Sequence, residues 1–91
     1  MQAVERRVCI VNEAGLHARP CHAIASLAQG FTAELRIACG EREVNGRSIL
    51  ELMTLEAARG QELAIRATGD DAEGLAAALA DLIGSGFAES P

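Results

Sequence analysis

The sequence predicts an α+β fold, an open-faced β-sandwich in which a four-stranded antiparallel sheet is covered on one face by three helices. Two observations predict it. Several segments alternate apolar and polar residues, which is typical of strands with one buried face. The segments between them repeat apolar residues at helical spacing, giving the order β-α-β-β-α-β-α. Because 91 residues suffice for a single two-layer core, we expect one domain over residues 1–91.

The first strand is predicted over residues 4–11 and the first helix over residues 18–29. Val8–Val11 is an apolar run suited to a buried strand, and within it we expect Cys9 to be buried. Residues 12–15 form a turn, where Gly15 permits a backbone conformation that other residues avoid. Gly30 suits the position just after the helix.

A hairpin is predicted next, with strands over residues 32–38 and 41–45 and a tight turn at Gly40. In the first of these strands Ala33, Leu35 and Ile37 alternate with polar residues and should face the core. The second strand is short and charged, as edge strands often are.

The second helix is predicted over residues 48–56, with Ser48 as its N-cap and Glu51 completing a capping box. It is too apolar for a helix with one buried stripe. Leu52 and Leu55 share one face, and a second face carries Ile49, Leu50 and Met53. That second face indicates either a helix buried on two sides or a small patch for docking a partner.

The last two elements are a strand over residues 61–67 and a helix over residues 71–83. The strand alternates, with Leu63 and Ile65 directed inward. The helix carries an apolar stripe that includes Leu75 and Leu79, and Phe87 is expected to fold back after it.

Composition excludes several classes of function. The net charge of −5, without a basic patch, argues against nucleic acid. No apolar run approaches the roughly 20 residues that span a membrane, and the first residues lack the apolar segment of a signal peptide. Three widely spaced cysteines give neither a metal pattern nor a disulfide framework. We therefore expect a cytoplasmic protein without metal or cofactor.

The stretch Gly15–Pro20, Gly-Leu-His-Ala-Arg-Pro, joins the first strand to the first helix. Pro20 fits only the first turn of a helix, so His17 should lie at the N-cap, where free N–H groups attract anions. Arg19 adds a fixed charge and a planar fork of donors. This arrangement suits the uptake and release of a phosphoryl group on an imidazole. The alternative is that His17 is an ordinary, partly exposed polar residue.

A small Cys/His hydrolase is a second alternative, using Cys21 with His17 or His22. Nothing in the sequence supplies an oxyanion hole, an orienting acid or a substrate pocket. We interpret Cys21 as a small packing residue and His22 as a solvated or partly packed one.

Two motifs together resemble the histidine-containing phosphocarrier (HPr) family of the bacterial phosphotransferase system. Gly15–Pro20 matches the family's active-site motif. Residues 47–55, Arg-Ser-Ile-Leu-Glu-Leu-Met-Thr-Leu, together with Gly60, match its serine-site motif. The resemblance covers roughly residues 4–88, and it implies the fold just described.

The resemblance also implies roles for individual residues. His17 would accept a phosphoryl group from enzyme I, which phosphoenolpyruvate charges, and pass it to an enzyme IIA component, with Arg19 supporting the phosphate. Ser48 would be the position that a dedicated HPr kinase/phosphorylase modifies in some members. The patch of Ile49, Leu50 and Met53 would contact these partners, and the protein would act as a monomer and a stoichiometric carrier.

The family branch stays open at this point. The acidic composition and the ending Leu82–Phe87 look more like the nitrogen-related branch, whereas the serine motif looks like members that have the kinase. A regulatory paralogue that acts mainly by binding other proteins is a further alternative. The presence of His17 with Arg19 argues against it.

Overall fold

The computed structural model describes residues 2–87; residue 1 and residues 88–91, at the two ends of the predicted domain, lie outside the described residues. Seven elements follow one another in the predicted order. The strands are β1 (Gln2–Cys9), β2 (Glu34–Cys39), β3 (Arg42–Asn45) and β4 (Glu62–Gly69). The helices are α1 (Ala18–Ala28), α2 (Ile49–Met53) and α3 (Ala72–Gly84).

The four strands form one antiparallel sheet in the order β1-β4-β2-β3. Ile65 of β4 pairs with Arg6 of β1 and with Ile37 of β2, so the middle of the sheet is built around β4 and β2. The apolar residues predicted to face inward on these two central strands are buried. The core contains Leu35, Ile37, Leu63, Ile65 and Ala67 from the sheet, with Ile24, Leu52, Leu75, Leu79 and Ile83 from the helices. The predicted α+β fold is therefore confirmed.

The end of the first strand differs from the prediction. β1 stops at Cys9, and of the apolar run only Ile10 is fully buried; Cys9 is exposed and Val11 is 48% exposed. Side chains alternate along a strand, so Cys9 points to the same side as Arg7, away from the helices. The predictions that Cys9 and Val11 are buried were wrong because alternation, rather than hydrophobicity, decides the side.

The helix-free face of the sheet carries a chain of ion pairs that crosses the strands. Arg7 contacts Glu5 and Glu62, each at 3.1 Å. Arg66 of β4 contacts Glu5 of β1 at 2.8 Å and Glu43 of β3 at 2.7 Å. Exposed pairs of this kind each contribute about 0–1 kcal/mol, so their main effect is a surface with both charges interspersed.

The second helix is shorter than predicted. Ser48 caps α2 by accepting the Glu51 N–H at 3.2 Å, as expected, but the helix ends at Met53 rather than at residue 56. The capping box does not form: the Glu51 carboxylate accepts the Asn45 N–H at 3.1 Å, while the Ser48 N–H donates to the Asn45 carbonyl. Glu56, with φ of 50°, stops the chain from continuing as a helix.

Asp71 links the start of α3 to the chain entering β2. Its carboxylate accepts the backbone N–H groups of Thr32 and Ala33, each at 2.8 Å, rather than capping its own helix. The Thr32 N–H, followed by the Ala33 N–H, holds the pKa of Asp71 below its ordinary value of 3.8.

The chain after α3 turns back onto the core. The Phe87 N–H donates to the Leu82 carbonyl at 2.9 Å, and Phe87 is only 8% exposed. The prediction that this ring folds back is confirmed. Within residues 2–87, no helix is both long enough and apolar enough to cross a membrane.

We expect Asp71→Asn to destabilise the protein at neutral pH and to weaken its acid sensitivity. A carboxyl group whose folded pKa is lowered stabilises the fold above its unfolded value near 3.8, and this contribution disappears as the pH falls through the folded pKa. Urea unfolding of the wild type and the variant between pH 7 and pH 2 measures the difference. Asp70→Asn, at the exposed neighbouring position, is the control. Parallel pH profiles for wild type and Asp71→Asn would contradict the assignment.

Candidate functional site

The loop between β1 and α1 is closed by a buried asparagine. The Asn12 side-chain amide donates to the Gly15 carbonyl at 2.8 Å, and the Gly15 N–H donates to the Asn12 carbonyl at 3.2 Å. Asn12 is 7% exposed and is the only buried polar or charged residue among residues 2–87. The sequence predicted the turn, but not that this side chain would close it.

The same loop is pressed against the chain that follows α2. The Leu16 N–H donates to the Ala57 carbonyl at 2.9 Å. Gly15 has φ of +68°, and a Cβ there would lie 2.5 Å from the Ala57 oxygen and 3.0 Å from the Ala58 Cα. Glycine is therefore required at position 15 both by the backbone conformation and by the close approach.

His17 is the N-cap residue of α1, as the sequence predicts. Its backbone is extended, with φ of −119° and ψ of −168°, and its carbonyl accepts the Cys21 N–H at 3.1 Å. Helix geometry leaves the amides of Ala18 and Arg19 without an intrahelical acceptor. His17 is half-buried, so part of the residue is reached by solvent.

Arg19 and His22 lie in one shallow depression between the first two helices. They line it together with Ala18 and Ile49, and it encloses about 420 Å³. Both side chains are exposed, and the His22 Nδ1 lies 3.5 Å from the Ser26 hydroxyl. The depression has an apolar floor and a cationic rim. His22, interpreted from the sequence as a solvated or partly packed residue, therefore lies on the same surface as Arg19.

The serine motif presents an apolar surface next to this depression. On α2, Leu50 is 79% exposed and Met53 is 41% exposed, while Leu52 is fully buried. Ile49 is half-buried and reaches the depression beside α1. Of the two alternatives for this helix, burial on both sides is wrong. We call Ile49, Leu50 and Met53 the α2 patch.

Ser48 lies at the start of the α2 patch and already has a structural partner. The side chain is half-buried and its hydroxyl caps the helix. The preceding residue, Arg47, donates to the carbonyls of Ala28 at 2.8 Å and of Phe31 and Ala33 at 2.7 Å. Its guanidinium therefore joins the end of α1 to the chain entering β2, a role that no local sequence pattern indicates because its partners are backbone atoms 14–19 residues away.

Cys21 lies underneath the site rather than in it. The residue is fully buried, and burial raises the pKa of its thiol to about 11. At neutral pH the thiol is protonated and out of reach of a substrate, so the Cys/His hydrolase alternative fails for this residue.

Taken together, the site is a half-exposed imidazole at the amino end of an 11-residue helix. An arginine stands two residues along the chain, and an apolar patch lies on the neighbouring helix. Helix amides and a guanidinium stabilise a phosphoryl group without a metal ion. Among residues 2–87 no group of histidine, cysteine and acidic residues has metal-binding geometry.

Comparison with known proteins places this surface in context. A family model described as "PTS HPr component phosphorylation site" matches residues 4–85. The chain is 37% identical to phosphocarrier protein NPr of Shewanella violacea over 90 residues, covering 99% of each chain. It is 38% identical to phosphocarrier protein NPr of Escherichia coli K12 over 87 residues, covering 94% of this chain and 97% of the relative.

Solved structures of HPr proteins have the same fold as this chain. The crystal structure of an HPr from Thermoanaerobacter tengcongensis superposes with a TM-score of 0.90 at 35% identity, covering 97% of this chain and 99% of the other. An HPr crystal structure from Bacillus anthracis superposes with a TM-score of 0.84 at 33% identity, covering 89% and 96%.

Proposed function

The chain belongs to the HPr family of phosphocarriers of the bacterial phosphotransferase system, and on that premise we propose that His17 is its phosphoryl acceptor. The observation that carries the proposal is the position of this ring. His17 is half-exposed at the N-cap of α1, and Arg19 lies two positions further along the chain. The apolar α2 patch lies on the neighbouring helix. A carrier needs a nucleophile that two different proteins can reach in turn.

The chemistry follows from the geometry. A neutral ring nitrogen of His17 attacks the phosphorus of the phosphorylated donor; a nitrogen–phosphorus bond forms as the bond to the donor breaks. The Arg19 guanidinium and the free amides of Ala18 and Arg19 stabilise the phosphoryl oxygens. In the second step the acceptor's nucleophile attacks the phosphorus, a bond to the acceptor forms as the nitrogen–phosphorus bond breaks, and His17 returns to its starting state.

We propose enzyme I as the donor and an enzyme IIA component as the acceptor. Both would dock on the α2 patch and on the depression lined by Arg19, since this surface surrounds the ring. Leu50 is the natural anchor because most of its side chain is in water before docking and would be buried afterwards. No cofactor takes part in this transfer.

Within the family we propose the nitrogen-related branch. Relatives named NPr are 37–38% identical to the chain over 94–99% of its length, and the net charge of −5 agrees with that assignment. The acceptor would then be the IIA component of nitrogen control rather than one of sugar uptake. Parallel transfer assays with the two kinds of IIA component distinguish the pathways.

Ser48 is a candidate site of regulation by an HPr kinase/phosphorylase. Its hydroxyl lies next to Ile49, at the edge of the α2 patch, so a phosphate there would bring about −1.5 to −2 charges to the docking surface. The Glu51 carboxylate, which accepts the Asn45 N–H at the start of the same helix, would add to the negative charge there. The effect would come from charge rather than from unfolding, since the N-cap tolerates anions.

We expect His17→Ala to abolish phosphorylation of the protein by phosphoenolpyruvate and enzyme I. The wild type should gain one acid-labile, base-stable phosphate, detected by mass spectrometry and by acid treatment. His22→Ala is the matched control because it removes the other histidine, on the same helix, and it should still be phosphorylated. A phosphate retained by His17→Ala would refute the assignment. A wild type that gains no phosphate would favour a protein-binding paralogue.

Arg19→Ala should slow phosphoryl transfer by on the order of tenfold without abolishing it. A charge-assisted hydrogen bond to the phosphoryl oxygens is lost, which corresponds to about 1.4 kcal/mol or more, while the helix amides remain. Rapid-quench measurement of both transfer steps gives the rates. Arg59→Ala, which removes an exposed arginine outside the site, should leave them unchanged. An unaltered rate in Arg19→Ala would mean that this guanidinium does not contact the phosphate.

Ser48→Asp should lower the rate of transfer from enzyme I with little loss of stability. Aspartate and asparagine both cap helices as well as serine does, so Ser48→Asn is a neutral control with the same local fold. We expect Ser48→Asn to transfer at the wild-type rate. Equal rates for the aspartate and asparagine variants would show that charge at this position does not affect docking.

A further inference from the structure

Glu56 adopts a backbone conformation that side chains rarely accept. Its φ is 50°, and among residues 2–87 only Phe87 shares a positive φ without being glycine. In Phe87 the unfavourable backbone conformation is offset because its ring is buried in the core. Glu56 is exposed, so no packing of its side chain offsets the unfavourable conformation.

The conformation itself is required by the neighbours of Glu56. Leu55 and Ala57, on either side, are 8% and 3% exposed, and the Ala57 carbonyl accepts the Leu16 N–H from the His17 loop. The chain must therefore turn outward at residue 56. Glycine would supply the same turn at lower cost. The backbone alone therefore does not account for a glutamate at this position.

The backbone of Glu56 lies between the α2 patch and the residue that contacts the His17 loop. Its N–H donates to the Met53 carbonyl at 3.3 Å, which places it directly after the α2 patch, and the next residue contacts the His17 loop. Within the described chain, no hydrogen bond or ion pair engages its carboxylate. The chain that follows α2 therefore carries an exposed carboxylate directly after the α2 patch, while the Arg19 guanidinium lines the depression on the α1 side.

We propose that Glu56 is a specificity-determining residue that selects a partner with a basic side chain next to its apolar docking surface. Charges at the rim of an interface set the association rate and the choice of partner more than the final affinity. With opposite charges on its two sides, the surface favours one orientation of the partner over the reverse. This inference rests on the proposed carrier function, because the partner it selects is a donor or acceptor of the His17 phosphoryl group.

The test compares Glu56→Gln and Glu56→Gly in thermal unfolding and in transfer from enzyme I and to the IIA component. Glu56→Gly should raise Tm by a few degrees because the unfavourable backbone conformation is relieved, whereas Glu56→Gln should not. Both should raise the KM of at least one transfer step by about two- to fivefold at low salt. The difference from wild type should shrink at high salt. Glu34→Gln, an exposed carboxylate at the opposite end of the sheet, is the matched control.

The outcomes separate this inference from the function on which it rests. Wild-type KM values for Glu56→Gln at low salt in both steps would overturn it, while phosphorylation of His17 would leave the carrier function intact. A raised KM in Glu56→Gly alone would also overturn it, because the backbone rather than the charge would then be responsible. A wild type that accepts no phosphoryl group would refute the carrier function and the inference together.

Discussion

One backbone hydrogen bond, from the Leu16 N–H to the Ala57 carbonyl, joins the two halves of the candidate site. It fixes the loop that enters α1 against the chain that leaves α2, and both residues are buried. Leaving either group unsatisfied would cost about 1–3 kcal/mol. The contact requires glycine at position 15 and an outward turn at Glu56. The position of the imidazole relative to the α2 patch follows from it.

This arrangement makes the proposed docking surface largely preformed. Gly15 and the Asn12 amide close the loop before any partner arrives, and Arg47 holds the end of α1 to the chain entering β2. A preformed surface loses less conformational entropy on association than a flexible one. That suits a carrier that must bind two proteins in turn and release each, since rapid exchange requires neither folding nor unfolding at the interface.

The sequence predicts the parts of this protein that depend on local patterns. Alternation in the central strands, the cap at Ser48 and the proline in the first turn of α1 each have a short-range cause, and the structure has all three. The side of the sheet taken by Cys9 was mispredicted because the apolar run masked the alternation. A glutamate three residues after a cap predicted a capping box, but Glu51 finds the Asn45 N–H instead.

The residues that sequence analysis missed act over long separations or on the backbone. Asp71 binds amides 38 and 39 residues earlier in the chain, and Arg47 binds carbonyls 14 to 19 residues earlier, on the other side of the β2–β3 hairpin. Backbone atoms carry no sequence signal, so only the folded chain reveals such partners. The positive φ of Glu56 was hidden for the same reason, since nothing in the residue itself suggests a left-handed turn.

The ion pairs across the helix-free face of the sheet have a consequence for how copies of the protein meet in a crowded cell. Arg66 bridges Glu5 and Glu43, so three strands present paired, hydrated charges instead of bare β-structure. Two copies that meet on that side gain little from association, because the opposite charges are already paired within each molecule. Association through apolar contact is therefore less favourable on that side than on the side of α2, where Leu50 and Met53 are exposed.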